Sequence, residues 1–416
     1  MKIKKIINVL IIFTIILTTF ILNKNYSYAE NDTNLHIYSD SVILIENQTG
    51  KTLYEKNSEQ KMYPASTTKI LTAIITIEKG NLSDKVTVSK SAIAQMKSGY
   101  TSAYLSEGEI ISVEDLLKVL LINSANDASN VLAEYISGSI ENFVNLMNEK
   151  VIELGCKNTH FVTTNGLHDD NHYTTAKDLS IIARYCMQNE TFRKIVSMKK
   201  CIIPATNKSD ERIYKNTNDL INPASGYYYP SCIGIKTGYT SEAKNCLISA
   251  CSKNGLQVIA VVLGASITEN HKSARYVDSK TLYDYTYSNY SIQNIAKSSS
   301  IIESIEVKNG TDETKSLELK LEKDLNVLVN NKDKNNIKTE ISIKDNLSAP
   351  IATNSVVGNV TYTIGTDKYS INLLASHDVE KKENIIWILR FILILIFLIL
   401  ILLIMLKFSI KIRNKK

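Results

Sequence analysis

The feature that most constrains this chain is an apolar run near its C-terminus. Residues 385–406 include a single charged residue, Arg390, and a helix rising about 1.5 Å per residue over that length spans the hydrocarbon core of a bilayer. The sequence therefore predicts a transmembrane helix at 385–406. The residues before it must then fold outside the membrane around hydrophobic cores of their own. An interfacial helix is the alternative, and it is disfavoured because no polar face recurs along 391–406.

Both ends of the chain indicate export. Residues 407–416 follow the apolar run with five basic side chains, and basic flanks tend to stay cytoplasmic. At the other end, lysines precede an apolar stretch at 6–22, and Ser27-Tyr28-Ala29 fits a small-x-small cleavage site. We predict a signal peptide at 1–29, a cytoplasmic tail at 407–416 and an extracellular body held at the cell membrane by a single-pass C-terminal anchor. An uncleaved N-terminal anchor is the competing interpretation.

Charge and cysteine content exclude several classes of function. The formal net charge is +6, and much of that excess lies in the signal peptide and the tail, so the body has no basic footprint for nucleic acid. The six cysteines show no C-x-x-C spacing, which argues against a zinc site or a thioredoxin-like motif. Buried free thiols are the simplest expectation, although an exported body would permit disulfides.

Periodicity in residues 30–290 predicts a mixture of helices and antiparallel strands. Short β-rich runs at 41–46 and 51–56 flank a turn cluster and predict a hairpin. The apolar run after Pro64 predicts a helix that ends at Gly80. Further helices are predicted within 112–154, interrupted at 123–127, and at 175–188 and 273–287. Runs at 232–239, 245–251 and 256–263, the last two joined by Asn254-Gly255, predict a three-stranded antiparallel sheet.

The composition changes after residue 290. Residues 291–382 lack cysteine, are rich in Lys, Asn, Asp and Glu, and contain short alternating runs. Such runs are typical of strands, so a separate small all-β domain is predicted there. The runs lie at 304–307, 317–321, 327–329, 339–343, 356–364 and 370–374.

A serine and a lysine three positions apart begin the first long helix. In an S-x-x-K on a helix, Ser66 and Lys69 share one face, so the amine can take the hydroxyl proton. The pattern alone is weak, because it recurs at Ser58/Lys61, Ser197/Lys200 and Ser241/Lys244. Only Ser66 follows Pro-Ala and precedes a strongly apolar helix, which would desolvate Lys69 and lower its pKa toward that of a working base.

Two further motifs follow in the expected settings. Ser124-Ala125-Asn126 is an S-x-N between two helices, with a second copy at 252–254 in a hairpin turn, and Lys236-Thr237-Gly238 ends a strand and occurs once. S-x-x-K, S-x-N and K-T-G in this order are the motif set of penicillin-binding proteins and serine β-lactamases. The cluster of His168, Asp169, Asp170 and His172 lacks an H-E-x-x-H pattern and is interpreted as a structural loop or a wall of the cleft rather than a metal site.

With these motifs the chain resembles the low-molecular-mass penicillin-binding proteins that act as D-alanyl-D-alanine carboxypeptidases. The likeness covers roughly residues 36–290 and is carried by YPASTTKILTA, LLINSANDASNVLAEY, TTNGLHDDNHYTTAKDLSIIARY, GIKTGYTSEAKNCLISA and VVLGA. It implies a β-lactamase/transpeptidase-like α/β catalytic domain at 30–290, in which an antiparallel sheet meets a helical lobe. The β domain at 291–382 and the C-terminal transmembrane helix match the layout of that family.

The resemblance also implies a role for each motif residue. Ser66 would attack the carbonyl between two D-alanines, Lys69 would accept its proton, and Ser124 would relay a proton to the leaving amine. The substrate would be bound by the remaining site residues: Asn126, Lys236, Thr237, Gly238, Tyr239 and Arg275. The backbone N–H groups of Ser66 and Tyr239 would form the oxyanion hole. Arg275 would lie near the terminal carboxylate, against the plainer alternative of a surface arginine on a helix.

The implied activity is removal of the terminal D-alanine from peptidoglycan stem pentapeptides, with β-lactam antibiotics as acylating inhibitors and with no metal or organic cofactor. A serine β-lactamase shares the three motifs, but its E-x-x-L-N loop is replaced here by TTNGLHDDNH. A D,D-endopeptidase or transpeptidase would use the same residues with a different acceptor. A catalytically silent wall-binding module is the remaining alternative, and the intact motifs argue against it.

Overall fold

The structure is a computed structural model that describes residues 35–94, 96, 99–383 and 385–413. The predicted signal peptide at 1–29 lies outside the described residues. Within them the chain alternates helices and strands up to residue 289 and then continues almost entirely as strands until the last helix. The composition change seen near residue 290 therefore coincides with a change in secondary structure.

The helices in the described residues are short except for the last. Their bounds are α1 Lys69–Lys79, α2 Lys90–Ala94, α3 Val113–Lys118, α4 Asn126–Ser137, α5 Ile140–Glu153, α6 Ala176–Gln188, α7 Glu190–Val196, α8 Ala274–Asn289 and α9 Ile385–Arg413. The helices predicted after Pro64 and at 175–188 and 273–287 are thus confirmed, while α7 was not predicted. The break predicted at 123–127 is shorter than expected, since α4 already begins at Asn126.

The strands fall into two larger sheets and three strand pairs. Their bounds are β1 Ser41–Glu46, β2 Thr52–Lys56, β3 Lys85–Thr87, β4 Ile110–Ser112, β5 Lys200–Ile203, β6 Arg212–Lys215, β7 Cys232–Thr240, β8 Lys244–Lys253, β9 Leu256–Ala265, β10 Tyr290–Ala296, β11 Ile301–Glu306, β12 Ser316–Leu321, β13 Leu325–Asn330, β14 Ile337–Ile343, β15 Val356–Ile364 and β16 Asp367–Ala375.

The central sheet is larger than the sequence predicts. Its order is β2-β1-β9-β8-β7 with antiparallel neighbours, so the N-terminal hairpin pairs with β9 and the predicted three-stranded sheet is part of a five-stranded one. The β1 to β9 pairing joins residues more than 200 positions apart, for example Ser41 with Leu263. Local sequence patterns carry no information on such a pairing, and this is why the prediction stopped at three strands.

Both faces of the central sheet are covered. On β1, Ile43 and Ile45 enter a core with helices α1, α6 and α7, while Val42 and Leu44 enter a second core with α8. Alternate side chains of a strand point to opposite faces, so the continuous apolar runs of β1 and β9 are those of a sheet buried on both sides. Strand β7 is the edge of this sheet, and it lies next to the turn that begins α1.

The helical lobe packs beside that edge. Ser112 caps α3, its side chain accepting a hydrogen bond from the backbone N–H of Asp115 at 3.1 Å. After α3 the chain widens into a π-helical turn at Val119–Asn123, and Ser124 then adopts a left-handed conformation with φ +68° before α4 begins. A π turn inside a helical segment often occurs at a functional site. Here it sets the position of the S-x-N motif.

Residues 290–381 form a second β structure. Strands β11, β12, β16, β15 and β14 make a five-stranded antiparallel sheet, and β10 pairs with β13. The six runs predicted as strands are all observed as strands, whereas β10 was missed. This sheet has its own apolar core, which includes Leu317, Leu319, Val360 and Leu373.

The final helix, α9, is exposed along its described length. Its segment Trp387–Lys407 is long and apolar enough to cross a membrane by length and composition, and none of that segment is buried. It is a candidate membrane anchor, as the sequence predicts. All six cysteines are free thiols in the structure, five of them buried and Cys156 partly exposed.

Candidate active site

The Ser66 side chain lies on a tight turn between the sheet and the helical lobe. A single 3-10 turn, Ala65–Thr68, leads into α1, and Ala65 takes a left-handed φ of +48°. Glycines let neighbouring backbone approach this turn closely. A Cβ on Gly166 would lie 1.8 Å from the Ala65 carbonyl oxygen, and a Cβ on Gly238 would lie 3.1 Å from the Ser66 nitrogen. The K-T-G strand and the 163–167 loop therefore pack directly on the turn that carries Ser66.

The Lys69 side chain is completely buried and meets three oxygens. Its Nζ lies 2.7 Å from Ser66 Oγ, 2.7 Å from Asn126 Oδ1 and 2.7 Å from the carbonyl oxygen of Asn165. A neutral amine has two N–H bonds and one lone pair. The two carbonyl oxygens can only accept, so they take the two N–H bonds, and the lone pair is left facing the Ser66 hydroxyl.

Burial favours that neutral amine. Loss of water around Lys69 lowers the pKa of its amine well below the ordinary 10.5, and the nearby positive charge of Lys236 lowers it further. The carboxylate of Asp127 acts in the opposite direction and does not reverse the shift. This arrangement can abstract a proton from Ser66, which is the chemistry of an activated nucleophile.

The S-x-N motif is placed on the opposite wall. Ser124 and Asn126 are both buried, with only a few per cent of their surface exposed, and they line the same cavity as Ser66. Asp127, the next residue, holds the 99–105 segment over the cavity. Its carboxylate accepts hydrogen bonds from the backbone N–H groups of Ala103 at 2.9 Å and Leu105 at 3.0 Å.

The K-T-G motif lies on the edge strand β7. Lys236 is buried, and its Nζ donates to the carbonyl oxygen of Thr237 at 2.9 Å. Burial and the neighbouring charge of Arg275 lower the pKa of Lys236 to about 7. Thr237 Oγ1 lies 2.6 Å from the hydroxyl oxygen of Thr217. The β7 end of the cavity thus presents hydroxyl groups to a ligand, with the Lys236 amine buried behind them.

Tyr239 and Arg275 complete the set of predicted site residues. Tyr239 follows Gly238 on β7, and its side chain is 64% exposed at the cavity mouth. Arg275 lies in the first turn of α8, where its Nη1 donates to the Gly238 carbonyl at 3.4 Å. The buried Nε of Arg275 has no hydrogen-bond partner among the described residues. The arginine is therefore part of the cavity wall, with donor capacity left over.

These groups converge on one cavity of about 740 Å³. Of the nine predicted site residues, Lys69 and Lys236 lie behind the wall and the other seven line it. The lining residues are Ser66, Gly99, Tyr100, Thr101, Ser124, Asn126, Gly166, Leu167, His168, Thr217, Thr237, Gly238, Tyr239, Thr240, Ser241, Glu242 and Arg275. Sequence reasoning missed the carbonyl of Asn165 and the hydroxyl of Thr217. We find no sequence signal for either group, because every residue carries a carbonyl and Thr217 lies outside the three motifs.

The histidine-rich loop, residues 166–173, packs against the turn that carries Ser66. His172 is buried, its Nδ1 accepts from the Val162 backbone N–H at 3.0 Å, and its Nε2 lies 2.9 Å from Thr68 Oγ1. Burial lowers the pKa of His172 to about 3, so the ring is neutral with its proton on Nε2. Within the described residues no group of three or more His, Cys, Asp or Glu is arranged to hold a metal ion.

Two family models match the chain. One, described as D-alanyl-D-alanine carboxypeptidase of the peptidase S11 family, matches residues 27–267. The other, described as the C-terminal domain of penicillin-binding protein 5, matches residues 290–381. Together they cover most of the chain, and the second match begins at residue 290, directly after α8.

Individual relatives agree with these matches. The chain is 36% identical over 357 residues to the D-alanyl-D-alanine carboxypeptidase DacF of Bacillus subtilis, covering 84% of this chain and 88% of that one. The crystal structure of penicillin-binding protein 5 from Haemophilus influenzae superposes with a TM-score of 0.65 at 29% identity, covering 83% of this chain and 98% of that one. The Streptomyces K15 DD-transpeptidase gives 0.55 at 31% identity, covering 61% and 98%.

Proposed function

Since the chain belongs to the family of D-alanyl-D-alanine carboxypeptidases, we propose that Ser66 is its nucleophile and Lys69 the general base. The observation that carries this proposal is the set of three 2.7 Å contacts of the Lys69 amine. They leave a lone pair for the Ser66 proton, and only a desolvated lysine can offer one near neutral pH.

In the acylation step, Ser66 Oγ attacks the carbonyl carbon of the penultimate D-alanine. Its proton moves to Lys69 Nζ, and the carbonyl oxygen becomes an oxyanion that the backbone N–H groups of Ser66 and Tyr239 stabilise. Collapse of this intermediate breaks the peptide bond. The proton passes through Ser124 to the leaving nitrogen, and the terminal D-alanine departs as the free amino acid.

The remaining motif residues hold the substrate. Arg275 is the only lysine or arginine that lines the cavity in the described chain, and with Thr237 beside it and the Lys236 amine buried behind the wall it binds the terminal carboxylate. Asn126 has its Oδ1 committed to Lys69, which leaves its amide N–H bonds for a substrate carbonyl. Gly238 lets the substrate backbone lie close to β7.

Deacylation adds water to the ester carbonyl of the acyl-enzyme and returns the proton to Ser66. A β-lactam acylates the same serine, but its leaving nitrogen stays tethered to the acyl group and the acyl-enzyme persists. Peptidoglycan stem peptides are thus the substrates and β-lactams the covalent inhibitors. The histidine-rich loop lies where class A β-lactamases have their deacylating glutamate, so rapid turnover of penicillin is not expected.

The exported layout fits this substrate. Residues 1–29 serve as the signal peptide, 30–290 as the catalytic domain and 291–382 as a β domain that sets the height of the active site above the membrane. Residues 385–406 cross the membrane and 407–416 remain in the cytoplasm. The catalytic body then works outside the cell, where peptidoglycan is.

A D,D-transpeptidase is the second candidate, because the solved relative from Streptomyces K15 is described as a DD-transpeptidase. The two activities share acylation and differ in whether water or an amine takes the acyl group. Thr101 and Tyr239 line the cavity and are both exposed, so its mouth is open to solvent. Water is then the most available acceptor, which favours the carboxypeptidase.

The test is release of free D-alanine from diacetyl-L-Lys-D-Ala-D-Ala by the detergent-purified chain. Ser66→Ala should abolish both release and covalent labelling by penicillin, and Ser197→Ala is the matched control, because it alters an exposed S-x-x-K serine distant from the cavity lining. If Ser66→Ala retained labelling, the proposed nucleophile would be wrong. If the unmodified chain bound penicillin but released no D-alanine from this peptide, an enzyme that requires a larger substrate or an amine acceptor would be favoured.

A further inference from the structure

The active-site cavity has two ends of opposite charge. At one end lies the Arg275 guanidinium, with the Lys236 amine buried behind the wall, and this end takes the terminal carboxylate in the proposed function. At the other end, past Tyr239 and Thr240, the lining contains Glu242, the only carboxylate among the cavity-lining residues. A cavity with this polarity is complementary to a ligand that carries an anion and a cation in the same order.

The position of Glu242 fixes which part of the substrate it faces. Thr237 and Thr240 are three positions apart along β7, roughly 10 Å in a strand, and Glu242 follows in the turn beyond. An extended peptide rises about 3.4 Å per residue. When its carboxylate lies at Thr237 and its scissile carbonyl at Ser66, the residue before the two D-alanines therefore reaches the Thr240–Glu242 end.

We propose that Glu242 selects stem peptides whose residue before D-Ala-D-Ala carries a free side-chain ammonium group. This inference rests on the proposed function, because it assumes that Ser66 and Thr237 set the direction of the bound peptide. The residue is a specificity determinant for the third position of the stem peptide. The substrate class is thus a peptide ending in a diamino acid followed by D-Ala-D-Ala, with the second amine unmodified.

The local structure keeps the Glu242 carboxylate charged and oriented. Its pKa is lowered by a hydrogen bond from its own backbone N–H and by the Thr240 hydroxyl. The imidazole of His168 is the other titratable group facing it, and that ring lies 3.5 Å from the Asp170 carboxylate and edge-on to Tyr63. A second carboxylate therefore lies just beyond the cavity wall at the same end, where it adds to the negative potential.

The experiment compares two peptides that differ only at the side-chain amine: Nα-acetyl-L-Lys-D-Ala-D-Ala, with a free ammonium, and diacetyl-L-Lys-D-Ala-D-Ala, without one. The readout is the ratio of their kcat/KM values for the full chain in detergent. For an ion pair exposed to solvent we expect a ratio of roughly two to five at low salt, falling toward one at high salt. Glu242→Gln should bring the ratio to about one, and Glu242→Lys should bring it below one.

Glu149→Gln is the matched control, since it removes an exposed glutamate from α5 that does not line the cavity. It should keep the ratio of the unmodified chain, and labelling by benzylpenicillin reports that each variant is folded. A ratio of one in the unmodified chain, or a ratio that survives Glu242→Gln, would overturn the inference while leaving the proposed function intact. Failure to release D-alanine from both peptides would contradict the proposed function, and with it this inference.

Discussion

Two serine–lysine pairs with the same spacing lie beside the same cavity and differ completely in surroundings. Ser66 and Ser241 both line it, yet Lys69 is fully buried with three oxygen contacts at 2.7 Å, whereas the Lys244 side chain is 51% exposed. The Lys244 amine forms an ion pair with Asp40 at 2.9 Å. Burial makes the first lysine a proton acceptor, while the second one is open to solvent and paired with a carboxylate.

The comparison shows that the S-x-x-K pattern acquires chemistry from what covers it. Around Ser66, the sheet edge, the 163–167 loop and helix α4 close over the lysine. Around Ser241, the chain makes a surface turn at the tip of the β7 to β8 hairpin.

The largest effect is expected from Lys69→Met, which keeps the length of the side chain and removes the amine. Without a base, acylation by penicillin and release of D-alanine should fall by a factor of at least about a thousand, within the range seen for loss of general-base catalysis. Stopped-flow acylation and D-alanine release measure this. Lys244→Met is the matched control and should remain within about twofold of the unmodified chain. Equal losses in the two variants would remove the distinction between the pairs.

The next effect concerns the backbone that covers Ser66. A methyl group on Gly166 would overlap the Ala65 carbonyl, so Gly166→Ala must displace the nucleophile turn. A displacement of about 1 Å costs roughly a hundredfold in rate, and we expect at least that loss in kcat/KM. Gly255→Ala is the control, because Gly255 has a similar φ of +79° but nothing within 4 Å of its added Cβ. It should cost about 1 kcal/mol of stability and leave kcat/KM within twofold.

A third effect appears in stability rather than rate. His172 has its pKa lowered to about 3 by burial, compared with 6.5 when unfolded. Its contribution is therefore fully present above about pH 6.5 and is lost as the pH falls toward 3, because the unfolded chain binds the proton and the folded chain does not. The loss should be on the order of a few kcal/mol, and denaturant unfolding at several pH values measures it.

The matched variants for this effect are His172→Gln and His160→Gln. The first removes the buried ring, so its stability should depend less on pH over that window. The second alters a partly exposed ring whose Nδ1 contacts the Asn171 carbonyl at 2.8 Å and should preserve the dependence. An identical acid dependence in the His172 variant and the unmodified chain would contradict the assignment of a neutral, buried imidazole.

The smallest effect is expected at the exposed ion pair of Lys244 with Asp40. Asp40→Asn removes the partner of Lys244, and both side chains are about half exposed. Exposed ion pairs contribute no more than about 1 kcal/mol and are screened by salt. The free energy of unfolding should therefore change by less than that, and the change should vanish at high salt. A larger, salt-independent change would mean that Lys244 is less different from Lys69 than its exposure indicates.

Much of the fold could be predicted because its signals are local. Pro64 and the apolar run after it located α1, the Asn254-Gly255 turn located the β8 to β9 hairpin, and alternation located most strands after residue 300. The pairing of β1 with β9 could not be predicted, since it depends on contacts between distant segments. Strand β10 was missed because it continues directly from α8 at Tyr290 without a turn residue between them.

The candidate site likewise has residues that the sequence predicts and residues that it does not. The three motifs identified Ser66, Lys69, Ser124, Asn126 and the K-T-G residues by type and spacing, and the structure gathers them around one cavity. The Asn165 carbonyl could not be predicted, because every residue carries one and only the fold selects which meets a lysine. Glu242 follows the K-T-G motif by a few residues in the same hairpin, whereas Thr217 and Asn126 are brought to the cavity from other parts of the chain. The proximity of Thr217 to Thr237 follows from tertiary structure alone.

The most direct test of the central claim, that Lys69 is a neutral base, is the pH dependence of acylation by benzylpenicillin. The base works when deprotonated, so the second-order rate should rise through the lowered pKa of Lys69 and reach its maximum near neutral pH. It should then decline as Lys236, with a pKa of about 7, loses its charge. A rate that instead keeps climbing toward the ordinary lysine pKa of 10.5 would show that Lys69 is protonated at neutral pH and would contradict the account.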